Sequence, residues 1–221
     1  MAKKHSSKQN KKKDSHSSYL WVLIVVLVLG IAISSVFFID FNTTSEQSYE
    51  VYNHYAFKQV GDKWSTEVVY NNELFEVPSY YHPLEVEDLP VDSQVVNFIM
   101  NVAHAGFIIA VDDGGSEHVI SAINLARILG EKYYGFPVKS ALYGDNNKTI
   151  TNVENTTISY ANCADATEVV PVIRISLNES FPVVTTDADN PNCIIVGGST
   201  AQETIKASDA LVFRLLGIIR K

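Results

Sequence analysis

With 221 residues, the chain has room for one ordinary domain plus appendages. Its charge is unevenly placed: residues 1–19 hold six lysines and one acid, a balance of +5, while residues 40–221 hold 11 basic and 24 acidic residues, a balance of −13. So acidic a body is a poor partner for nucleic acid or acidic polymers, and two distant cysteines are too few ligands for a structural zinc site.

Residues 20–39, "LWVLIVVLVLGIAISSVFFI", are an uncharged apolar run. As a helix the run spans about 30 Å, the thickness of a bilayer core. It exceeds the roughly 7–15 residues of a signal-peptide core and lacks a small-x-small cleavage site, so a retained transmembrane anchor is expected, with the lipid bilayer as its partner. Within it, Gly30 and Ser34 form a small-x-x-x-small pair compatible with helix packing in the membrane. The lysine-rich segment 1–19 reads as a disordered cytoplasmic tail, which places residues 40–221 outside the cell membrane.

Residues 40–50 read as a polar stalk and 51–90 as a small β-rich meander and connector. Aromatic and β-branched residues at Tyr55–Phe57, Trp64–Tyr70 and Leu74–Val77 are separated by Gly61-Asp62 and Asn71-Asn72, a strand-and-turn pattern. "HPLEVEDLP", His82 to Pro90, reads as an extended connector held by two prolines.

An α/β domain is expected over 91–221, with a mixed sheet flanked by two or three helices. Asp92 or Ser93 can cap a helix running to about Val102. Ala105–Val111 is an apolar run of strand length, Glu117–Leu129 has helical spacing with Gly130 as its stop, and Val138–Tyr143 is the next strand. Such a unit favours a parallel pair. Residues 144–155 read as a loop, and Val169–Leu177 with Phe181–Asp187 as a hairpin around Asn178-Glu179-Ser180. Cys193–Val196 is a strand and Ala201–Leu216 a helix. Both helices, around Leu129 and Leu216, end in Arg-x-Leu-Gly, with Arg127 and Arg214 placed to complement a helix dipole.

Cys163 and Cys193 both fall on the outer side, where a disulfide between them is expected. Closing 30 residues stabilises by about 3–4 kcal/mol in the chain-entropy model. Asn42, Asn147, Asn155 and Asn178 each open an Asn-x-Ser/Thr sequon and are glycosylation candidates.

Two stretches suggest chemistry. In "CIIVGGSTAQETI" an apolar strand meets Gly-Gly-Ser and then a helix, a place for phosphate. The dinucleotide fingerprint and the P-loop lysine are both missing, however. Thr200-x-x-Glu203 matches a capping box, as does Ser199-x-x-Gln202 one register earlier, and Glu203 repels phosphate. In "DDGGSEH", the residues Asp112, Asp113, Glu117 and His118 offer oxygen and nitrogen ligands at a strand's carboxyl end, where open α/β sheets bind ligands. No metal-motif spacing accompanies them, and a capped polar turn explains the same residues. "DADNPN", Asp187 to Asn192, begins like a calcium loop but has Pro191 at the fifth position and Gly198 at the twelfth. No His-Glu-x-x-His or Gly-x-Ser-x-Gly motif occurs, and no cofactor motif is complete.

The segments "WSTEV", "YYHPLEVEDLPV", "INLARILG" and "NCIIVGGSTAQETIKASDALVFRLLGI" resemble a group of membrane-anchored archaeal envelope proteins, over about Tyr52 to Ile219. The tail is also similar to α/β modules of archaeal surface-layer proteins. The resemblance implies an extracytoplasmic location and no particular activity. From the anchor and the missing catalytic motifs, the expectation is a non-enzymatic envelope or surface module that binds another surface protein or glycan. The alternative is a metal- or small-ligand-binding domain, enzymatic or not, centred on Asp112–His118.

Overall fold

The computed structural model describes residues 48–101, 104–113, 118–130, 133–145, 149–151 and 157–220. The expected tail and anchor over 1–39, the stalk up to residue 47, the sequons at Asn42, Asn147 and Asn155, and Glu117 of the turn cluster lie outside the described residues. Among the described residues no helix is long and apolar enough to cross a membrane. Residues 47–221 form one compact unit of α/β structure.

The first sheet is an antiparallel meander of β1 (Tyr49–Tyr52), β2 (Tyr55–Val60), β3 (Lys63–Tyr70) and β4 (Glu73–Ser79), in that order. Two of its three turns, Asn53-His54 and Asn71-Asn72, have positive φ at both residues. Such turns match the twist of the flanking strands, and asparagine tolerates that conformation better than most residues. Tyr49 and Glu50, read as the end of the stalk, open β1 opposite Lys58 and Phe57. Alternation places Phe57, Thr66, Val68 and Val77 on the buried face.

Two expectations need correction here. The connector is not extended throughout: Pro83–Val86 forms a one-turn helix, α1. His82 caps it by accepting from the Leu84 N–H, while Glu85 accepts from the His82 N–H at 2.7 Å. His-Pro-x-Glu is a capping box with proline at its first helical position. Further along, the segment 144–155 carries a strand, β7 (Thr149–Thr151), paired with β8 (Thr157–Ala161).

The second sheet is mixed. Its other strands are β5 (Phe107–Val111), β6 (Val138–Tyr143), β9 (Val172–Ser176), β10 (Val183–Thr186) and β11 (Cys193–Gly197). The spatial order is β10-β11-β9-β5-β6-β8-β7. Strands β5 and β6 are adjacent and parallel, as a β-α-β unit requires. The expected hairpin between β9 and β10 is absent. Instead β11 lies between them, parallel to β9 and antiparallel to β10. The tight reversal falls at Asp187–Asn192, where the Asp187 carboxylate accepts from the Asp189 and Asn190 N–H groups. A turn made by its own side chains sets the hairpin there, and β11, buried at every position, takes the interior place.

Three further helices complete the fold: α2 (Ser93–Asn101), α3 (Val119–Leu129) and α4 (Ala201–Leu215). Asp92 starts α2 by accepting from the Gln94 N–H at 2.8 Å. Ten of the fifteen residues of α4 are buried. It packs on β10, β11 and all three other helices, and Phe213 meets Phe57 of the meander edge-to-face at 5.7 Å. The large core joins Phe57, Val77, Ile109, Ile175, Ile194 and Phe213 across both sheets. A second cluster holds Ala110, Ala141, Ala161, Val172 and the bonded pair Cys163–Cys193, whose Cα atoms are 5.1 Å apart.

Candidate functional site

Strands β5, β9 and β11 run parallel, so their carboxyl ends and the residues after them gather at one edge of the sheet. Asp112, directly after β5, is buried there. Its carboxylate receives Nε and Nη2 of Arg174 on β9 at 2.9 and 3.0 Å, a two-pronged ion pair. The Asn178 amide and the Leu177 N–H also reach it, at 3.1 and 3.4 Å. Arg174 stacks over Tyr143 of β6, 3.9 Å from the ring centre. Burial works against its charge, but the Asp112 hydrogen bonds and charge raise its pKa above the ordinary value.

The four residues of the polar turn thus have different surroundings. Asp112 is committed to Arg174, while Asp113 is exposed. His118 is buried, and its Nε2 lies 2.7 Å from the Asp112 carbonyl oxygen. Glu117 lies outside the described residues. Among those described, no three His, Cys, Asp or Glu side chains converge in a way that could hold a metal. Asn178, the one sequon asparagine described, is exposed on this edge.

The Gly-Gly-Ser turn opens on the same edge. Thr200 caps α4 by accepting from the Glu203 N–H at 3.2 Å. The Glu203 carboxylate does not return to Thr200. It receives the N–H and hydroxyl of Ser199, at 2.8 and 2.5 Å, and those bonds hold its pKa below the usual carboxylate value. A carboxylate of the chain itself therefore occupies the helix N-terminus where a phosphate would lie. The glycines answer to packing: a Cβ on Gly197 would stand 2.4 Å from Glu179 Cγ, and one on Gly198 2.5 Å from Glu203 Cβ.

A different polar centre lies deep in the core. Asp209 on α4 is buried, and its Oδ2 accepts from the N–H groups of Tyr80 and Tyr81 at 2.8 and 3.0 Å. Its Oδ1 accepts from Asn124 of α3 at 3.2 Å. Burial drives its pKa up to about 7 despite these three donors. On the other side of the same segment, His82 sits within a ring of Phe57, Trp64 and Tyr52. Its Nε2 is 3.7 Å from Glu50 Oε2, and burial lowers its pKa against the pull of Glu50 and Glu85. Neither residue belongs to a motif. The signal for Asp209 was its place in "KASDALVF", a carboxylate directly after the apolar stripe through Ile205, Ser208 and Val212.

Concavities lie on the meander and beside the disulfide. A groove of about 700 Å³ crosses its outer face, bordered by Tyr49, Lys58, Glu67, Val69 and Leu74. A second groove follows β4 against α3 in two lobes of about 460 and 200 Å³, which share Pro78 and Arg127. A hollow of about 640 Å³ beside the disulfide is lined by Asp145, Asp187 and Asp189.

In comparisons with known proteins, no family model, curated protein or solved structure matches this chain.

Proposed function

We propose that this chain is a single-pass, membrane-anchored envelope protein whose outward domain binds another surface protein or glycan and performs no chemistry of its own. The observation that carries this reading is the contrast between its two polar-to-apolar frontiers. At the carboxyl edge of the parallel sheet, Asp112, His118 and Glu203 are engaged in bonds within the chain. On the meander, Tyr49, Val51, Val69 and Leu74 stand 62–74% exposed. Apolar side chains left in water beside a groove mark an interaction surface.

The uncharged run at 20–39 and the lysines before it support the anchor and its orientation. The −13 body makes a neutral or cationic surface, or a neutral glycan, its natural counterpart outside any local cationic patch.

Crosslinking in native membranes, followed by identification of the joined chain, tests the reading. A reproducible adduct through the meander is expected. The absence of any adduct, or a stoichiometric metal lost in Asp112→Ala, would overturn it. Proteolysis of sealed cells checks orientation: digestion of residues 40–221 is expected, and their protection would reverse the topology.

A further inference from the structure

The groove between β4 and α3 combines three properties that occur together nowhere else among the described grooves. It runs beside an edge strand, since β4 ends the meander and pairs within it only with β3. Its walls are apolar on both sides: Leu74 and the half-buried Phe75 on the strand, Ile120 and Ile123 on the helix. Leu74 and Ile123 are 62% and 52% exposed. The groove also carries two cations, Arg127 and Lys63, against one carboxylate, Glu76, in a body of the opposite sign.

Arg127 borders both lobes, and Lys63 borders the smaller one. The Lys63 ammonium lies 4.6 Å above the Tyr80 ring. Among the described residues Arg127 has no ion-pair partner. Its counterpart Arg214, in the same Arg-x-Leu-Gly context, is spent on the carbonyls of Glu87 and Leu89 at 3.2 and 3.1 Å. Both arginines suit the end of a helix. Only Arg127 presents its guanidinium to an open groove.

We infer that this groove is the docking site for an extended acidic segment of a partner protein, a claim that rests on the interaction reading above and gives the partner its chemistry. A carboxylate would meet Arg127, which offers two parallel N–H donors, with Lys63 adding charge. Apolar side chains on either side of that carboxylate would fill the two lobes. The wall Leu74–Pro78 is five residues long, about 17 Å of extended chain. Pro78 has no N–H, which limits open-ended strand addition along β4. The lysine-rich segment 1–19 has the wrong sign to be the occupant.

The test is selection of displayed random heptapeptides on the full-length wild-type chain and on Arg127→Glu, an exposed position, with circular dichroism checking that the variant is folded. Wild type is expected to enrich Asp or Glu flanked by Val, Ile, Leu or Thr. Arg127→Glu is expected to weaken the best such peptide at least tenfold and to enrich Lys or Arg instead. Ile123→Glu, which fills the smaller lobe with charge, is expected to weaken it as well. Peptides without acidic preference, or equal binding to all three chains, overturn the proposal. So does a concentration-dependent dimer abolished by Arg127→Glu, which makes a second copy the occupant. The two readings fail separately. A native adduct confined to the outer face of the meander removes this groove and leaves the interaction module. Acidic peptides bound without any native adduct keep the groove and remove the envelope-partner reading.

Discussion

Asp209 is a carboxyl group whose hydrogen-bond partners are all uncharged donors, with Glu85 as the nearby charge, and that makes its protonation a matter of stability. Its folded pKa of about 7 lies above the ordinary 3.8. The folded state therefore holds a proton that the unfolded state has released between those values. The stability this contributes is complete below about pH 4 and is lost as pH rises towards about 7. Three pH units correspond to roughly 4 kcal/mol. Asp209→Asn keeps the shape without the titration, and Asn124 can rotate its amide to suit. Denaturant unfolding from pH 4 to 8 should show wild type falling relative to Asp209→Asn, with parallel curves as the contrary result. His82 acts in the opposite sense: its pKa is lowered, so its contribution is lost as pH falls below the ordinary histidine value of 6.5. Glu85 faces both groups, Glu50 faces His82, and Tyr80, Tyr81 and Asn124 face Asp209. At the sheet edge, Asp112→Ala strands Arg174 with its charge partly buried. A loss of about 2–4 kcal/mol is expected in chemical denaturation.

At the scale of elements, the joint between β11 and α4 is set by contact distances. Gly197→Ala brings a methyl group onto Glu179 and the Ser176 carbonyl, and a loss of about 1–3 kcal/mol is expected from the crowding. Thr200→Ala removes the helix cap at a cost of about 1 kcal/mol. Thermal melts of the two variants separate packing from capping, because Gly197→Ala should be the more damaging. These elements were legible in the sequence. The apolar runs of β5 and β11 and the threes and fours of α3 and α4 are local signals, and each element lies within a few residues of its expected place. Pairing was not legible in the same way. β9 and β10 look like a hairpin because they are neighbours in sequence, yet β11 enters between them, and nothing local in β9 records that its partner lies beyond Asp187–Asn192. The candidate site divides similarly. Asp112 and His118 were visible as chemistry-bearing types, but Arg174, which engages Asp112, is 62 residues away. Asp209 was hidden because three of its donors come from two distant segments.

Across the whole molecule, the two sheets share one core through α4, and the disulfide closes the smaller cluster at its far side. Replacing both Cys163 and Cys193 by serine should cost about 3–4 kcal/mol without changing the secondary structure, measured as a shift in the denaturation midpoint. The loss should match that of the reduced wild type, since both open the same 30-residue loop.

The position of α4 has a further consequence. The helix at the centre of the core is the final one among the described residues, and the Asn53 amide in the first turn donates to the Ile218 carbonyl oxygen, 165 positions on. The earliest-made strands thus wait for the latest-made helix. A chain emerging amino end first cannot close this core until α4 has been delivered. A chain stopped at Thr200 should remain protease-sensitive throughout, its meander left without a floor to rest on.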